Sequence, residues 1–236
     1  MRIGTMLIGG PVFIAVLIGV LLVLPLPEPI GNERLFSIGA AVAALGMVYL
    51  GAVGVEVTRI YIAPSRAVVG AFRALGFQHR AGSLLLAPKL AGQVDGRRVE
   101  VTFKPGLPLA ELQVTIAAGT RFEAAIAAGA AFGVCATCPE VQVDARRDRR
   151  RWVARSRDAV RLYALVDQPG ARLALDTVLG EQALPGRKTL NIQPARLWLV
   201  AHPTRMQVGD AAAVVSALAV LAEAAEACVV EVGFDV

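Results

Sequence analysis

Residues 3–24, IGTMLIGGPVFIAVLIGVLLVL, and residues 35–55, LFSIGAAVAALGMVYLGAVGV, decide how this chain is organised. Neither run contains a charged residue. A helix of 22 residues spans roughly 33 Å, enough to cross a hydrocarbon core of about 30 Å. The first run is too long for a signal peptide, and no small-residue cleavage site follows it. The sequence therefore predicts a transmembrane helical hairpin in residues 1–60, with helices over about 3–24 and 35–57.

Charge predicts the orientation of this hairpin. The connector between the runs carries Glu28 and Glu33, whereas Arg2 precedes the first run and Arg59 and Arg66 follow the second. Basic residues are retained on the cytoplasmic side of a membrane. We therefore expect a multi-pass protein of the bacterial inner membrane with both termini in the cytoplasm.

Small residues recur at helical spacing in both runs. They are Ala15 and Gly19 in the first, and Gly39, Ala43 and Gly46 in the second. Small side chains let helix backbones approach closely in lipid. The sequence favours packing within the hairpin, with contact to another protein's helices, or to a second copy, as the alternative.

The remainder of the chain has the pattern of a soluble domain. Residues 61–79 predict an amphipathic linker helix that opens at Pro64 and stops at Gly76, and residues 80–236 a cytoplasmic α+β domain. Alternating apolar residues around Asp95-Gly96 predict a β-hairpin over 89–94 and 97–104. Further strands over 111–117, 121–127, 141–143 and 152–154 are predicted to continue a mainly antiparallel meander. Residues 190–192 and 196–201 predict a second hairpin that turns near Gln193-Pro194, in a sheet covered by helices. Those helices are one after Asp158, one over 171–179, and one from Asp210 to about Cys228.

Cys135-Ala-Thr-Cys138 has the spacing of a thiol redox pair or of half a zinc site. Pro139 follows, and no helix is predicted after it, although a redox pair usually opens a helix. Cys228, His79 and His202 stand in no ligand spacing relative to the pair. The sequence favours structural cysteines, with a thiol redox or metal-binding enzyme as the alternative, and predicts no cofactor.

The most concentrated charge lies in a basic segment just before and after Trp152. Its members are Arg146, Arg147, Arg149, Arg150, Arg151, Trp152 and Arg155. Near a membrane such a segment binds anionic headgroups, at about 1 kcal/mol per basic residue. It can instead bind an acidic protein or form a solvated edge that prevents sheet aggregation. Binding of nucleic acid, with Trp152 stacked on a base, is the least favoured of these alternatives.

The sequence contains no glycine-rich phosphate loop, no G-x-S-x-G elbow and no H-E-x-x-H. Residues 152–160 (WVARSRDAV), 165–175 (LVDQPGARLAL), 190–192 (LNI) and 197–199 (LWL) resemble a pattern in uncharacterised bacterial two-pass membrane proteins with a cytoplasmic α+β domain. The resemblance covers residues 80–228 and implies the architecture but no catalytic residues. We therefore expect a non-enzymatic, membrane-anchored protein that binds a protein partner or the anionic membrane surface, as an accessory subunit of a larger complex.

Overall fold

The computed structural model describes residues 32–80, 88–104, 110–128, 135–143, 152–180, 186–202 and 208–228. The chain divides into two compact units, residues 1–63 and residues 64–236. The first predicted membrane helix, over residues 3–24, lies outside the described residues. The α+β class is confirmed, because the second unit combines one large antiparallel sheet with helices.

The described part of the first unit is a single long helix, α1 (Asn32–Val57). It begins three residues before the predicted start at residue 35. A five-residue π turn, Thr58–Ile62, follows it with helical backbone on both sides. Large apolar side chains are exposed along α1, namely Leu45, Met47, Val48, Leu50 and Val55. Within the described residues, one helical stretch, Val42–Arg73, is long and apolar enough to cross a membrane.

The helix predicted as a linker, α2 (Ala63–Arg73), turns its apolar face into the core of the second unit, where Val68 and Phe72 are buried. It stops where Gly76 was predicted to stop it. Gly76 has φ +86, and the N–H groups of Gly76 and Phe77 donate to the carbonyls of Arg73 and Phe72. This is a Schellman motif, and the accompanying apolar contact is an edge-to-face pair of Phe72 and Phe77 with ring centroids 5.3 Å apart.

In the described part of the chain, nine strands form one antiparallel sheet. They are β1 (Gln78–His79), β2 (Lys89–Val94), β3 (Arg97–Lys104), β4 (Glu111–Ala117), β5 (Ala124–Ala128), β6 (Glu140–Val143), β7 (Trp152–Ser156), β8 (Lys188–Gln193) and β9 (Arg196–Ala201). The predicted bounds of β2, β3, β4 and β9 are confirmed. Asp95 (φ 50) and Gly96 (φ 75) both have positive φ, as the predicted two-residue hairpin requires. The strand predicted from residue 121 begins only at Ala124.

The order of the strands is β1-β2-β3-β4-β9-β8-β5-β7-β6. The predicted meander holds for β2–β4 and for the neighbours β6 and β7, and the predicted hairpin of β8 and β9 is confirmed. The β8–β9 hairpin, which comes last in the chain, is inserted between β4 and β5. Alternation of apolar residues shows which face of a strand is buried but carries no information about its neighbour, so this insertion is not visible in the sequence.

Three helices cover one face of the sheet: α3 (Ala159–Asp167), α4 (Pro169–Leu179) and α5 (Val208–Ala227). The predicted cap of α3 is confirmed, since Asp158 Oδ1 accepts a hydrogen bond of 3.0 Å from the Arg161 N–H. Asp210, predicted to cap α5, lies instead in its first turn. The buried stripe predicted for α5 is confirmed: Val214, Leu218, Leu221 and Ala225 are at most 3% exposed.

The two faces of the sheet differ in character. The face toward the helices holds the main core, with Val101, Val114, Leu199 and Ile126 each at most 1% exposed. The opposite face carries none of the helices that the structure describes and is here called the helix-free face. On it, one row of paired residues runs across seven strands. In order it is Glu100, Thr115, Trp198, Asn191, Ala125, Arg155 and Glu140. Two members of this row, Ala125 and Arg155, contact the cysteine motif.

Candidate functional site

The cysteine motif forms a closed turn on the helix-free face of the sheet. Cys135 and Cys138 are joined by a disulfide, with their Cα atoms 4.9 Å apart. Both are buried, at 1% and 7% exposure, in a small apolar cluster with Ala125 of β5. The Cys138 N–H donates to the Cys135 carbonyl at 3.0 Å. The disulfide was one of several states that the spacing left open.

Arg155 of β7 connects this turn to the sheet. Its Nη1 donates a hydrogen bond of 2.5 Å to the Ala136 carbonyl, inside the cysteine turn. Its Nε is buried without a hydrogen-bond partner in the described part of the chain. The half-buried Arg155 side chain therefore binds the backbone of the cysteine turn.

The structure describes only part of the remaining basic segment. Arg146, Arg147, Arg149, Arg150 and Arg151 lie outside the described residues. Trp152 is described, and it is 7% exposed in the main core, where it pairs with Ala128 and Val143 of neighbouring strands. Its indole ring is thus packed inside the domain rather than placed on a surface.

No group of three or more metal-ligating side chains occurs within the described residues. Cys228 belongs to the main core and not to the cluster that holds the cysteine pair. Its Sγ lies 3.5 Å from Gln168 Nε2, and burial raises the pKa of this thiol. His202 is held through Nδ1, 2.9 Å from the Ala110 carbonyl oxygen. Cys228 and His202 therefore have structural contacts of their own.

A bidentate ion pair joins α5 to the β3 strand. Both oxygens of Glu226 accept hydrogen bonds from the Arg97 guanidinium, at 2.6 and 2.7 Å, and the Gly119 N–H adds a third at 2.6 Å. The hydrogen bonds from Arg97, helped by the one from Gly119, hold the pKa of Glu226 below its usual range. The same pair raises the pKa of Arg97. A carboxylate at a helix C-terminus interacts unfavourably with the helix dipole. The Arg97 guanidinium offsets this cost and holds the last turn of α5 against β3.

The outer surface of α4 and α5, here called the α4/α5 face, has little charge at its fully exposed positions, while the charged residues Arg172, Asp176, Asp210 and Glu226 of these helices are half-buried. Its exposed residues are Pro169, Gly170, Leu173, Gly209, Ala213, Ser216, Val220, Glu223 and Ala227. Glu223 alone among them carries a charge. Leu173 is 62% exposed and Val220 41%. Gly170 connects the two helices, since a Cβ built on it would lie 3.8 Å from Val220 Cγ1.

The sequence reasoning missed this face, although the signal was present. Once the buried stripe of α5 is assigned, the positions between its members must point outward. Ala213, Ser216 and Val220 occupy such positions, where a solvated helix would carry Lys, Glu or Arg. A helix that is apolar on every side is either fully buried or has a surface for a partner.

The small residues predicted for helix packing are partly described. Gly39 and Ala43 of α1 are exposed, and Gly46 is half-exposed. A Cβ built on Gly39 or Gly46 would meet no described atom within 4 Å. Ala15 and Gly19 lie outside the described residues, so the packing of the two predicted helices stays a prediction.

No protein-family model and no curated protein matches the chain. Among solved structures, the crystal structure of the mycobacterial trehalose monomycolate transport factor A, TtfA, is similar to 68% of this chain and 93% of its own. The sequence identity is 12% and the TM-score 0.48. A similarity at this level does not assign a function to this chain.

Proposed function

We propose that this chain is a membrane-anchored, non-enzymatic protein whose α+β domain binds a protein partner through the α4/α5 face. The observation that carries the proposal is the low charge of this exposed surface. A helix that faces water normally carries charged residues there, and a contiguous exposed apolar surface marks a site of interaction. Depletion of charge at the centre of a surface is also typical of protein interfaces.

The anchor is the second part of the proposal. Two uncharged runs, over residues 3–24 and over residues 35–55 within α1, support a two-pass hairpin. Arg2, Arg59 and Arg66 at their outer ends support placing both termini in the cytoplasm. A protein of this kind, tethered beside other membrane proteins, suits the role of an accessory subunit in a larger complex. The protein would be embedded in the lipid bilayer and would bind a protein partner or a second copy of the chain.

The test is affinity purification of the full chain in mild detergent, followed by mass spectrometry of what co-purifies. We expect a stoichiometric protein partner with the unmodified chain. The double variant Leu173→Glu, Val220→Glu should lose that partner, because two charges would then be buried at the interface. Val160→Glu is the matched control, since Val160 is equally apolar and 67% exposed but lies on α3. Equal retention of the partner by both variants would exclude the α4/α5 face.

The basic segment supports a second candidate function, binding of the anionic membrane surface. Five arginines within residues 146–151 give it the charge that such binding requires. Co-sedimentation with vesicles containing phosphatidylglycerol tests this function. The amount of bound protein should fall with added salt if the arginines bind headgroups. Binding that depends on neither lipid charge nor salt would exclude recognition of anionic headgroups by the arginines.

The thiol pair supports a third candidate, a membrane-tethered redox protein that uses Cys135 and Cys138. The two sulfurs are close enough to bond, which a redox pair requires. Their burial opposes it, because a catalytic pair must be reached by a substrate thiol or disulfide. A thiol–disulfide exchange assay on a small peptide disulfide, compared with the Cys135→Ser variant, tests this activity.

A further inference from the structure

The cysteine turn lies directly before the strand at one edge of the sheet. Its last residue, Cys138, is followed by Pro139 and then directly by β6, the strand at the end of the sheet. Within the described residues, β6 pairs with β7 alone. An edge strand of four residues, held on one side, has few hydrogen bonds to keep it in place.

Two contacts connect the turn to β7. The Ser156 N–H donates to the Pro139 carbonyl at 3.2 Å, which extends the pairing of β6 with β7 by one residue. Arg155 Nη1 donates to the Ala136 carbonyl, within the turn itself. Arg155 also pairs with Glu140 in the strand register. The geometry of the turn and the docking of β6 are therefore set by the same two residues of β7.

We propose that Cys135 and Cys138 are a reversible thiol–disulfide switch that controls the docking of β6 on β7. The disulfide closes the turn over Ala125 and presents the Ala136 and Pro139 carbonyls to β7. When the bond is broken, the two sulfurs are no longer held at bonding distance. The turn then widens over Ala125, and the carbonyls that Arg155 and Ser156 bind are no longer fixed.

The chemistry needs a thiol reductant, such as glutathione or a protein dithiol. When the turn opens locally, the thiolate of the reductant attacks Sγ of Cys138, the less buried residue of the pair, and releases Cys135 as a thiolate that takes up a proton. A second thiolate then attacks the sulfur of the reductant in this mixed disulfide, so that Cys138 is also released and protonated. The protein gains two electrons and two protons, and the reductant leaves as its disulfide.

The expectation that the disulfide is reversible rests on the cytoplasmic location that belongs to the proposed function. Glutathione and thioredoxin keep cytosolic thiols reduced, and disulfides that do form there are usually transient or redox-sensing. The closed state described here would then be the state of an oxidised cell. The structural half of the inference does not depend on this location, because it concerns only the contacts of the turn.

Hydrogen exchange on the full chain in detergent micelles tests the switch. The protein is equilibrated with defined ratios of reduced and oxidised glutathione, the thiols are trapped by alkylation, and exchange is followed by mass spectrometry. We expect the amides of β6 to exchange at least about tenfold faster in the reduced state, with α5 unchanged. Cys138→Ser should show the fast exchange of β6 under both conditions. Cys228→Ser, which changes the remaining cysteine, should retain the difference.

Three results would overturn the inference. Equal exchange of β6 in the two states would mean that the disulfide does not control the strand. A pair that stays oxidised at the glutathione ratio of a reducing cytosol would be a permanent link, and a pair that never oxidises would be two structural thiols. None of these results bears on the α4/α5 face, whose variants are read out by loss of the partner.

Discussion

The contact between Arg97 and Glu226 predicts a measurable share of the domain's stability. We consider the substitution Glu226→Gln, which keeps the shape of the side chain and removes its charge. The carboxylate accepts two hydrogen bonds from Arg97 and one from the Gly119 N–H. A glutamine amide has one oxygen to accept with, and its NH₂ group faces donors, so at least one of these bonds is lost.

The magnitude follows from the charge and the exposure of the pair. Hydrogen bonds to charged groups contribute about 1.5–3 kcal/mol each when buried. The Arg97 and Glu226 side chains are 23% and 31% exposed, so solvent screens part of this contribution. We expect Glu226→Gln to lower the free energy of unfolding by about 1–2 kcal/mol, which corresponds to a Tm lower by about 2–8 °C.

The same substitution predicts a pH dependence. The folded-state pKa of Glu226 lies below its unfolded value because of Arg97. The stabilisation is therefore fully present above the unfolded pKa, about 4.3, and is lost as the pH falls through the folded-state pKa. The unmodified chain should lose stability in that acid range more steeply than Glu226→Gln does. At pH 7 the difference between them should be at its maximum.

Urea unfolding of the full chain in detergent, followed by tryptophan fluorescence, measures both effects, since Trp152 is buried in the core. Glu100→Gln is the matched control. Glu100 accepts hydrogen bonds from Arg98 at 2.7 Å and from Arg80 at 3.1 Å, but the side chains of Glu100, Arg98 and Arg80 are 38%, 63% and 54% exposed. An exposed pair contributes about 0–1 kcal/mol. If Glu226→Gln costs no more than Glu100→Gln, or if its cost is the same at pH 7 and in acid, the reasoning is refuted.

Three further substitutions test the backbone. Gly92→Ala places a Cβ 2.8 Å from the buried ring of Phe77 and should cost about 1–3 kcal/mol in urea unfolding. Gly70→Ala, on an open helix surface, should instead stabilise by about 0.5–1 kcal/mol. Ala195→Gly should stabilise by about 0.5–1 kcal/mol, because Ala195 has φ +69 in the β8–β9 turn; a loss of stability would contradict this. Asp158→Ala should lower stability by about 1 kcal/mol, while Asp158→Asn should keep most of the cap.

The fold was predicted well where it depends on local chemistry. Asp95-Gly96 predicted the hairpin because few residues adopt two successive positive φ values. Gly76 predicted the end of α2 because glycine adopts, at little cost, the positive φ with which many helices end. Asp158 predicted the start of α3 because its side chain can accept from a free N–H of the first turn. Each of these depends on residues adjacent in the chain.

The sequence did not predict what depends on distant residues. The insertion of β8 and β9 beside β4 depends on long-range pairing, and the Arg97–Glu226 contact joins residues 129 positions apart. A lone Arg and a lone Glu give no sign of each other in one sequence. The same limit applies to the cysteine turn, whose relation to Arg155 appears only when β5, β6 and β7 are neighbours.

The division of charge in the second unit connects these observations. Charged pairs such as Arg98–Glu100 and Lys104–Glu111 lie on the helix-free face of the sheet, where they are exposed and solvated. The α4/α5 face, on the opposite side, exposes Leu173 and Val220. Solubility alone would favour charge on both sides, because an exposed apolar surface promotes association. Among the fully exposed residues of the α4/α5 face, Glu223 alone is charged, whereas the helix-free face carries several charged pairs. This difference is the reason to look for the partner on the side of the helices.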